Sequence, residues 1–407
     1  MTVELEINNS ASPSARFVTW APSPCRIRVT NPSGAPSAAI KVRITARSGT
    51  TGGAVVFGRS MTGPFSNNLT LPVLITGASI PLFVAGRFGR PSGNTGDVRI
   101  EARIGATLVG SVQVMVRIRK NANTLTPGER DRLVAAFAQL NNQGAGRFTD
   151  FRDMHTQASS PQAHGAPGFL PWHRAYLLDL ERELQAIDPS VSLPYWRFDQ
   201  AAPNIFTPEF FGASDPLGAV QFSATNPLQF WRTDGVPGIT RRPFFDTDTA
   251  PAGLRSEAQT LALGNQYPGF RALEGNPHGS AHTSFGGSIS SIPTAARDPL
   301  FFLLHCNVDR LWAKWQRQFG RFDPAQAASY DSNPGNPIGH NLPDTMWPWN
   351  GITGGARPPT APGGAMAGSP CVSAPGPQPR VQDGLDYQGS VNAGSRLGFD
   401  YDDVTFA

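Results

Sequence analysis

Asp298-Pro299-Leu300-Phe301-Phe302-Leu303-Leu304-His305-Cys306-Asn307-Val308-Asp309-Arg310-Leu311-Trp312 is the stretch on which the reading of this chain turns. Asp298-Pro299 is a helix start, and Leu303, Leu311 and Trp315 follow on one apolar side. One imidazole, His305, sits in the middle of that run. A single histidine in a core is more often a hydrogen-bonded structural residue than a ligand. Its meaning therefore depends on what else can join it.

The seven histidines are His155, His164, His173, His278, His282, His305 and His340. Six fall in two groups of three. His155, His164 and His173 are separated by eight residues in each gap. His278 and His282 are four apart, which on a helix puts both on one side, and His305 from another helix completes a face of three nitrogens. His340 stands alone in a Gly/Pro/Asn loop and reads as structural or exposed. The HExxH zinc-protease reading fails because residue 279 is Gly. All-imidazole ligation selects zinc, copper, iron or nickel over magnesium or calcium. Two three-histidine sites without a bridging carboxylate leave each ion open. Two adjacent cuprous ions can each supply an electron to dioxygen, whereas zinc has no redox chemistry.

Outward from these groups, Trp172 to Ile187 forms a second helix, with Leu177, Leu180 and Leu184 on its apolar side. Thr126-Pro127-Gly128-Glu129 starts a third, with Thr126 as N-cap, Pro127 at N1 and Glu129 closing a capping box. Residues 1–120 change pattern. Ile40, Val42, Ile44 and Ala46 alternate with Lys41, Arg43 and Thr45. Val98, Ile100, Ala102 and Ile104 alternate with Arg99, Glu101 and Arg103, and Val112, Val114, Val116 and Ile118 repeat the period. Such strands, separated by Gly/Pro/Ser/Asn turns, predict an antiparallel sandwich. The expected fold is multidomain: an N-terminal antiparallel β-sandwich, residues 1–120, structural or pocket-covering, then a mainly α C-terminal domain, residues 121–407.

Composition agrees with that scheme. The 407 residues are 39% hydrophobic and 10% aromatic, enough to bury a real core. Gly 43 and Pro 38 imply long loops. The net charge is +4, but Lys and Arg are spread out, so no nucleic-acid partner is expected. No apolar run nears the roughly 20 residues that span a bilayer, so no membrane association is expected. Cys25, Cys306 and Cys371 are too few and odd in number for a disulfide scaffold. Met1 to Ser10 lacks the basic and apolar regions of a secretory signal. A cytoplasmic protein is expected, with export beside a partner as the alternative route.

The histidine segments resemble the tyrosinases, catechol oxidases and haemocyanins, the type-3 dicopper proteins. The stretch from His164-Gly165 to Phe169-Leu170-Pro171-Trp172-His173-Arg174 resembles that family's first copper motif, with Glu181 the acid that follows it. The stretch 298–312 resembles the second, and Leu273-Glu274-Gly275-Asn276-Pro277-His278-Gly279-Ser280-Ala281-His282 the segment that supplies its first two ligands. Gly286-Gly287 and Pro293-Thr294-Ala295 read as in bacterial tyrosinases. Leu397-Gly398-Phe399-Asp400-Tyr401 resembles the aromatic-x-Tyr signature that closes the core domain, and the chain stops soon after, so no C-terminal covering domain is expected.

The resemblance implies a four-helix bundle holding two copper ions per chain, with dioxygen as co-substrate. It implies His155, His164 and His173 as ligands of one copper, and His278, His282 and His305 of the other. Glu274 would orient a water that deprotonates a phenol. Gly279, Thr283, Ile292, Asn307 and Asp309 would surround the ligands or the pocket, Ile292 over the metal pair. Asp309, one turn after His305, either accepts an imidazole proton or pairs with Arg310 or Arg174 on the helix surface. There are departures. Leu304 replaces the first histidine of the family's usual His-His pair. Gly279 stands where hydroxylating members often have Asn, and Thr283 where bacterial members often have Arg. Gln162 occupies the place of the cysteine that forms a thioether in fungal and plant members. Arg197 replaces an acid in Tyr195-Trp196-Arg197-Phe198-Asp199.

The function implied is an oxidase converting o-diphenols to o-quinones, with monophenol hydroxylation as an added activity. Alternatives are a catechol or o-aminophenol oxidase without hydroxylation, and, from another class, a haemocyanin-like dioxygen carrier. The partners implied are a small phenolic substrate and a copper-delivery protein. The sequence leaves the oligomeric state open.

Overall fold

The computed structural model describes residues 1–31, 39–142 and 147–406. The chain has helices and sheets in two compact units. One comprises residues 1–118, 369–373 and 388–406, the other 119–368 and 374–387. A single cut after residue 120 therefore misses the return of the C-terminal segment to the first unit. The reason is polar as well as apolar. Trp20 Nε1 donates to the Tyr401 carbonyl at 2.8 Å, and the Ala21 N–H donates to Asp400 Oδ2 at 2.9 Å. The aromatic-x-Tyr signature thus packs inside the β-rich unit.

That unit has two sheets. β1 (Thr2–Ile7), β3 (Ser23–Asn31), β7 (Ile80–Gly86) and β5 (Val55–Gly58) pair in that order. The second sheet runs β2 (Phe17–Val18), β9 (Thr107–Val116), β8 (Val98–Ile104), β4 (Ala39–Arg47), β6 (Asn68–Leu74). The period-2 reading fits here: Val42, Ile44, Val98, Ile100, Ala102, Val112, Val114 and Val116 are buried. They join Val3, Leu5, Ile27, Val29, Phe57 and Val84 of the other sheet in one hydrophobic cluster. Pairing is antiparallel except between β2 and β9, where Phe17 and Val18 lie parallel to Met115 and Val116. Glu101 on the polar face of β8 is covered by Arg47, Arg99 and Arg103.

The second unit is organised by helices: α1 (Pro127–Asn142), α2 (Phe148–Met154), α3 (Ser160–Ala163), α4 (Phe169–Ile187), α5 (Glu257–Leu261), α6 (Tyr267–Phe270), α7 (Ser280–Thr283) and α8 (Leu300–Phe319). At the start of α1 the Thr126 N–H donates to Glu129 Oε2 at 3.1 Å and the Glu129 N–H to Thr126 Oγ1 at 3.4 Å, the reciprocal cap its sequence predicts. α4 starts three residues before Trp172. Pro171 is tolerated there because the first turn has no use for its missing N–H. No helix among the described residues is long and apolar enough to cross a membrane.

α4 and α8 are tied by buried charge. Arg174 Nε donates to Asp309 Oδ1 at 2.6 Å, and Arg119 Nη1 to Asp309 Oδ2 at 3.2 Å. Arg119 Nη2 also donates to Glu181 Oε2 at 2.8 Å, and the Leu193 N–H to Glu181 Oε1 at 2.8 Å. Arg174 lies over the Trp312 ring at 3.7 Å. Two guanidinium groups and two carboxylates balance in a place that excludes water. Removing one carboxylate leaves an uncompensated cation. Asp309→Ala should therefore lower the unfolding free energy by about 3–5 kcal/mol, measured by urea denaturation. A loss under about 1 kcal/mol, the size of an exposed pair, would contradict this account.

Candidate metal centre

The tied helices each carry one histidine of a triad. His173 lies in the second turn of α4 and His305 in the middle of α8, and their rings stack at 4.2 Å with planes 7° apart. His155 and His164 end α2 and α3, where the chain leaves helical geometry. His278 and His282 are not on one regular helix. A widened turn, Gly275–Gly279, precedes α7, and Asn276 within it has φ −145° and ψ 121°. Pro277 disfavours helical geometry at the residue before it, and the side chain holds the departure: Asn276 Oδ1 accepts from the Arg255 N–H at 2.7 Å and Nδ2 donates to the Gly253 carbonyl at 2.9 Å. The two rings still converge, with centroids 4.8 Å apart.

Backbone carbonyls orient four of the six rings. Nδ1 of His155 faces the Ile292 carbonyl at 3.2 Å, that of His173 the Phe169 carbonyl at 2.9 Å, that of His278 the Glu274 carbonyl at 2.7 Å and that of His282 the Ile289 carbonyl at 2.7 Å. A carbonyl oxygen only accepts, so each Nδ1 carries the hydrogen and each Nε2 a lone pair. The Nε2 atoms of these rings converge with those of His164 and His305. His155 and His164 Nε2 are 3.3 Å apart, His278 and His305 Nε2 3.3 Å, and His282 and His305 Nε2 3.1 Å. His173 Nε2 is buried with no partner among the described residues. The donor atoms of each triad lie within 4.8 Å of one another. Buried imidazole nitrogens converging from three sides suit a cation.

Apolar walls keep these rings neutral. Phe301 packs on His305 at 4.2 Å and on His155 at 4.7 Å, and Phe169 on His173 at 4.7 Å. Burial, with help from neighbouring imidazoles, pushes His155 down to about 3 and His164 to about 2. Burial also pushes His282 down to about 4, and holds His173, His278 and His305 well below the usual range. Neutral imidazole is the form that binds a metal.

A cavity of about 610 Å³ opens onto both triads. Glu274 lines it. Its Oε1 accepts from the Gly165 N–H at 2.7 Å and Oε2 lies 3.6 Å from Arg271 Nη1. Burial raises the Glu274 pKa, against the lowering pull of Gly165 and Arg271. Gly279, Thr283 and Ile292 line the same cavity. Thr283 Oγ1 donates to the Gly279 carbonyl at 3.0 Å, and the Ile292 side chain is exposed at the rim.

Residues 145–318 match the family model "Common central domain of tyrosinase". The chain is 34% identical over 265 residues to the tyrosinase of Streptomyces glaucescens, a match covering 57% of this chain and 92% of the relative. It is 32% identical over 268 residues to the tyrosinase of Streptomyces antibioticus, covering 58% of this chain and 94% of that one. The chain belongs to the tyrosinase family. Among solved structures, deoxygenated hemocyanin from Rapana thomasiana shares the fold at a TM-score of 0.50 and 21% identity, over 71% of this chain and 70% of that one.

Two copper ions are the cofactor of this tyrosinase-family oxidase, and the two all-imidazole triads fit them in number and in donor type. Other expected residues fall in varied places. Asp309 is not on the helix surface and does not serve His305, whose Nδ1 has no partner among the described residues. It is bonded instead by the Arg174 and Arg119 guanidinium groups. Asn307 is buried and accepts from Arg310 Nη1 at 3.1 Å. Gln162 is buried, accepting from Arg357 Nη1 at 2.9 Å, and Leu304 is core. His340 is buried rather than exposed: its Nδ1 accepts from the Gly168 N–H at 3.0 Å and its Nε2 donates to the Pro161 carbonyl at 2.9 Å.

Sequence reasoning missed the Ile289 and Ile292 carbonyls and Arg119, which no local pattern marks. The Phe169 carbonyl was findable, since it lies four residues before His173 on one helix. Elemental analysis of purified protein should give about two coppers per chain. His305→Ala should lose one. His340→Ala should keep both, because both of its ring nitrogens are already satisfied by backbone.

Proposed function

We propose that this tyrosinase-family oxidase converts o-diphenols to o-quinones with dioxygen, and hydroxylates monophenols more slowly. The carrying observation is that two neutral imidazole triads line one open cavity, with a carboxylate on its wall. Copper, when bound there, supplies the electron transfer between phenol and dioxygen. Two catechols release four electrons and four protons, which reduce one dioxygen to two waters. The protein's part is to hold six imidazoles together, four of them in one tautomer through backbone carbonyls, admit a planar ring, and take its proton. Glu274 is the acceptor: Gly165 fixes one carboxylate oxygen, and the other accepts the proton of the phenol or of a bridging water. The Ile292 side chain at the rim packs against the entering ring.

Further parts of the reading come from the sequence alone. The β-rich unit is a β-sandwich that stabilises the protein or limits access to the pocket, and the second unit is a four-helix bundle. A copper-delivery protein loads it, and it works in the cytoplasm. A dioxygen carrier is the poorer reading, because a carrier gains from a closed centre and this cavity is open enough for a phenol.

Oxygen uptake on paired monophenols and catechols tests the reading; absence of turnover on both, with copper bound, would overturn it. Glu274→Gln should lower monophenol hydroxylation by about 10²-fold, as loss of a positioned base does. Gly279 has φ −59°, and an added Cβ would meet only the Glu274 carbonyl oxygen at 3.4 Å, so Gly279→Asn fits. Its amide would give a water beside Glu274 one more hydrogen bond, worth about 1 kcal/mol. The ratio of monophenol to catechol rate should rise roughly fivefold. An unmoved ratio would refute water positioning through residue 279.

A further inference from the structure

The β-rich unit holds a cavity of about 490 Å³ that the copper chemistry does not use. Its walls are apolar at Pro24, Val372 and Ala393, polar at Asn9 and Ser369, and charged at one place, Arg396. Arg396 is 7% exposed. Nη1 donates to the Pro22 carbonyl at 2.9 Å and to Ser23 Oγ at 3.1 Å, and Nη2 reaches Asn8 Oδ1 only at 3.5 Å. Among the described residues none of its hydrogen bonds goes to a carboxylate. The carboxylate that acts on it from a distance, Asp400, is engaged by the Ala21 N–H at 2.9 Å and Gln388 Nε2 at 2.6 Å. This differs from Arg119, Arg174, Arg241 and Arg310, buried guanidinium groups that do meet carboxylates.

Geometry says what is missing. With Nη1 occupied, Nε has no hydrogen bond among the described residues and Nη2 only the 3.5 Å contact with Asn8, so the Nε–Nη2 edge is the less used side of the guanidinium. That edge presents two parallel N–H bonds, the spacing of a carboxylate's two oxygens. The Asn8-Asn9 turn supports the arrangement. Both residues have positive φ, 52° and 57°, which Asn tolerates better than most side chains, and the turn brings Asn8 Oδ1 to the guanidinium from one side. A buried cation whose Nε–Nη2 edge is only weakly engaged costs free energy that a bound anion recovers.

We propose that this cavity is a binding site for a small organic carboxylate, held side-on by Arg396 with its carbon skeleton against Val372, Pro24 and Ala393. The volume suits a small molecule rather than a protein segment, and the apolar wall favours an organic acid over a hydrated inorganic anion.

Cys371, 7% exposed, lines the same cavity, while Cys25 and Cys306 are 1% and 0% exposed and line none of it. It therefore reports on the site in the unaltered protein. Calorimetry on the copper-loaded full chain would use benzoate, its neutral isostere benzamide, and inorganic phosphate. Wild type should bind one benzoate that Arg396→Met binds at least about tenfold more weakly, while catechol oxidation stays unchanged. Binding at copper would persist in Arg396→Met and is so told apart. Benzamide should not bind there. Equal benzoate binding by a folded Arg396→Met, or phosphate binding without benzoate binding, would overturn the proposal. Should Arg396→Met fail to fold, alkylation of wild type decides. Iodoacetate should modify Cys371 faster than iodoacetamide, and benzoate should slow that reaction at Cys371, followed by peptide mass spectrometry. Alkylation indifferent to benzoate would equally overturn it.

Discussion

Asp309 stands between two arginines in a dry space beside the helices that carry His173 and His305. That contact is the constraint from which the centre follows. Arg174 is the residue after His173, and Asp309 lies one turn beyond His305. An ion pair of 2.6 Å between them sets both the rotation and the axial register of α4 against α8. Apolar packing alone tolerates sliding, because one buried leucine replaces another at small cost. A buried charge has one acceptable partner position. The stacked rings inherit that registration, and with it the spacing of the two triads.

The second constraint concerns protons. A site that binds copper through neutral imidazole must exclude both water and competing hydrogen-bond partners. Four carbonyls take the Nδ1 hydrogens, and Phe169 and Phe301 desolvate the rings. Those carbonyls come from different settings: a helix, a widened turn and the loop between α7 and α8. Helices bring the rings close, while irregular backbone tunes their tautomers. That loop therefore serves two ends at once, since Ile292 offers its carbonyl to His155 and its side chain to the pocket rim.

The β-rich unit obeys other rules. Its stability comes from one apolar cluster shared by two sheets and from the returning C-terminal segment, whose Asp400 and Arg396 are buried. The two charges handle burial differently. Asp400 is satisfied by an N–H and an amide, whereas Arg396 keeps half of its fork over a cavity.

Much of this was legible in residue order. Period-2 alternation located the strands, Thr126-Pro127-Gly128-Glu129 located a helix start, and six histidines in two groups of three announced two metal ions, because those signals are local or depend on residue type alone. The limits of legibility are equally physical. The turn at Asn276 depends on contacts with residues 253 and 255, so His278 and His282 could not be placed beyond their spacing. Asp309 next to arginines was readable as an ion pair, but its burial and its bond to Arg119 were not, since Arg119 is 190 residues away in sequence. The return of residues 388–406 to the first unit was likewise invisible. Sequence determined which groups could meet a metal. Tertiary structure alone decided which nitrogen of His155 faces it, because the Ile292 carbonyl that holds the other comes from a loop 137 residues away, whereas Phe169 and Glu274 lie four residues before the rings they fix.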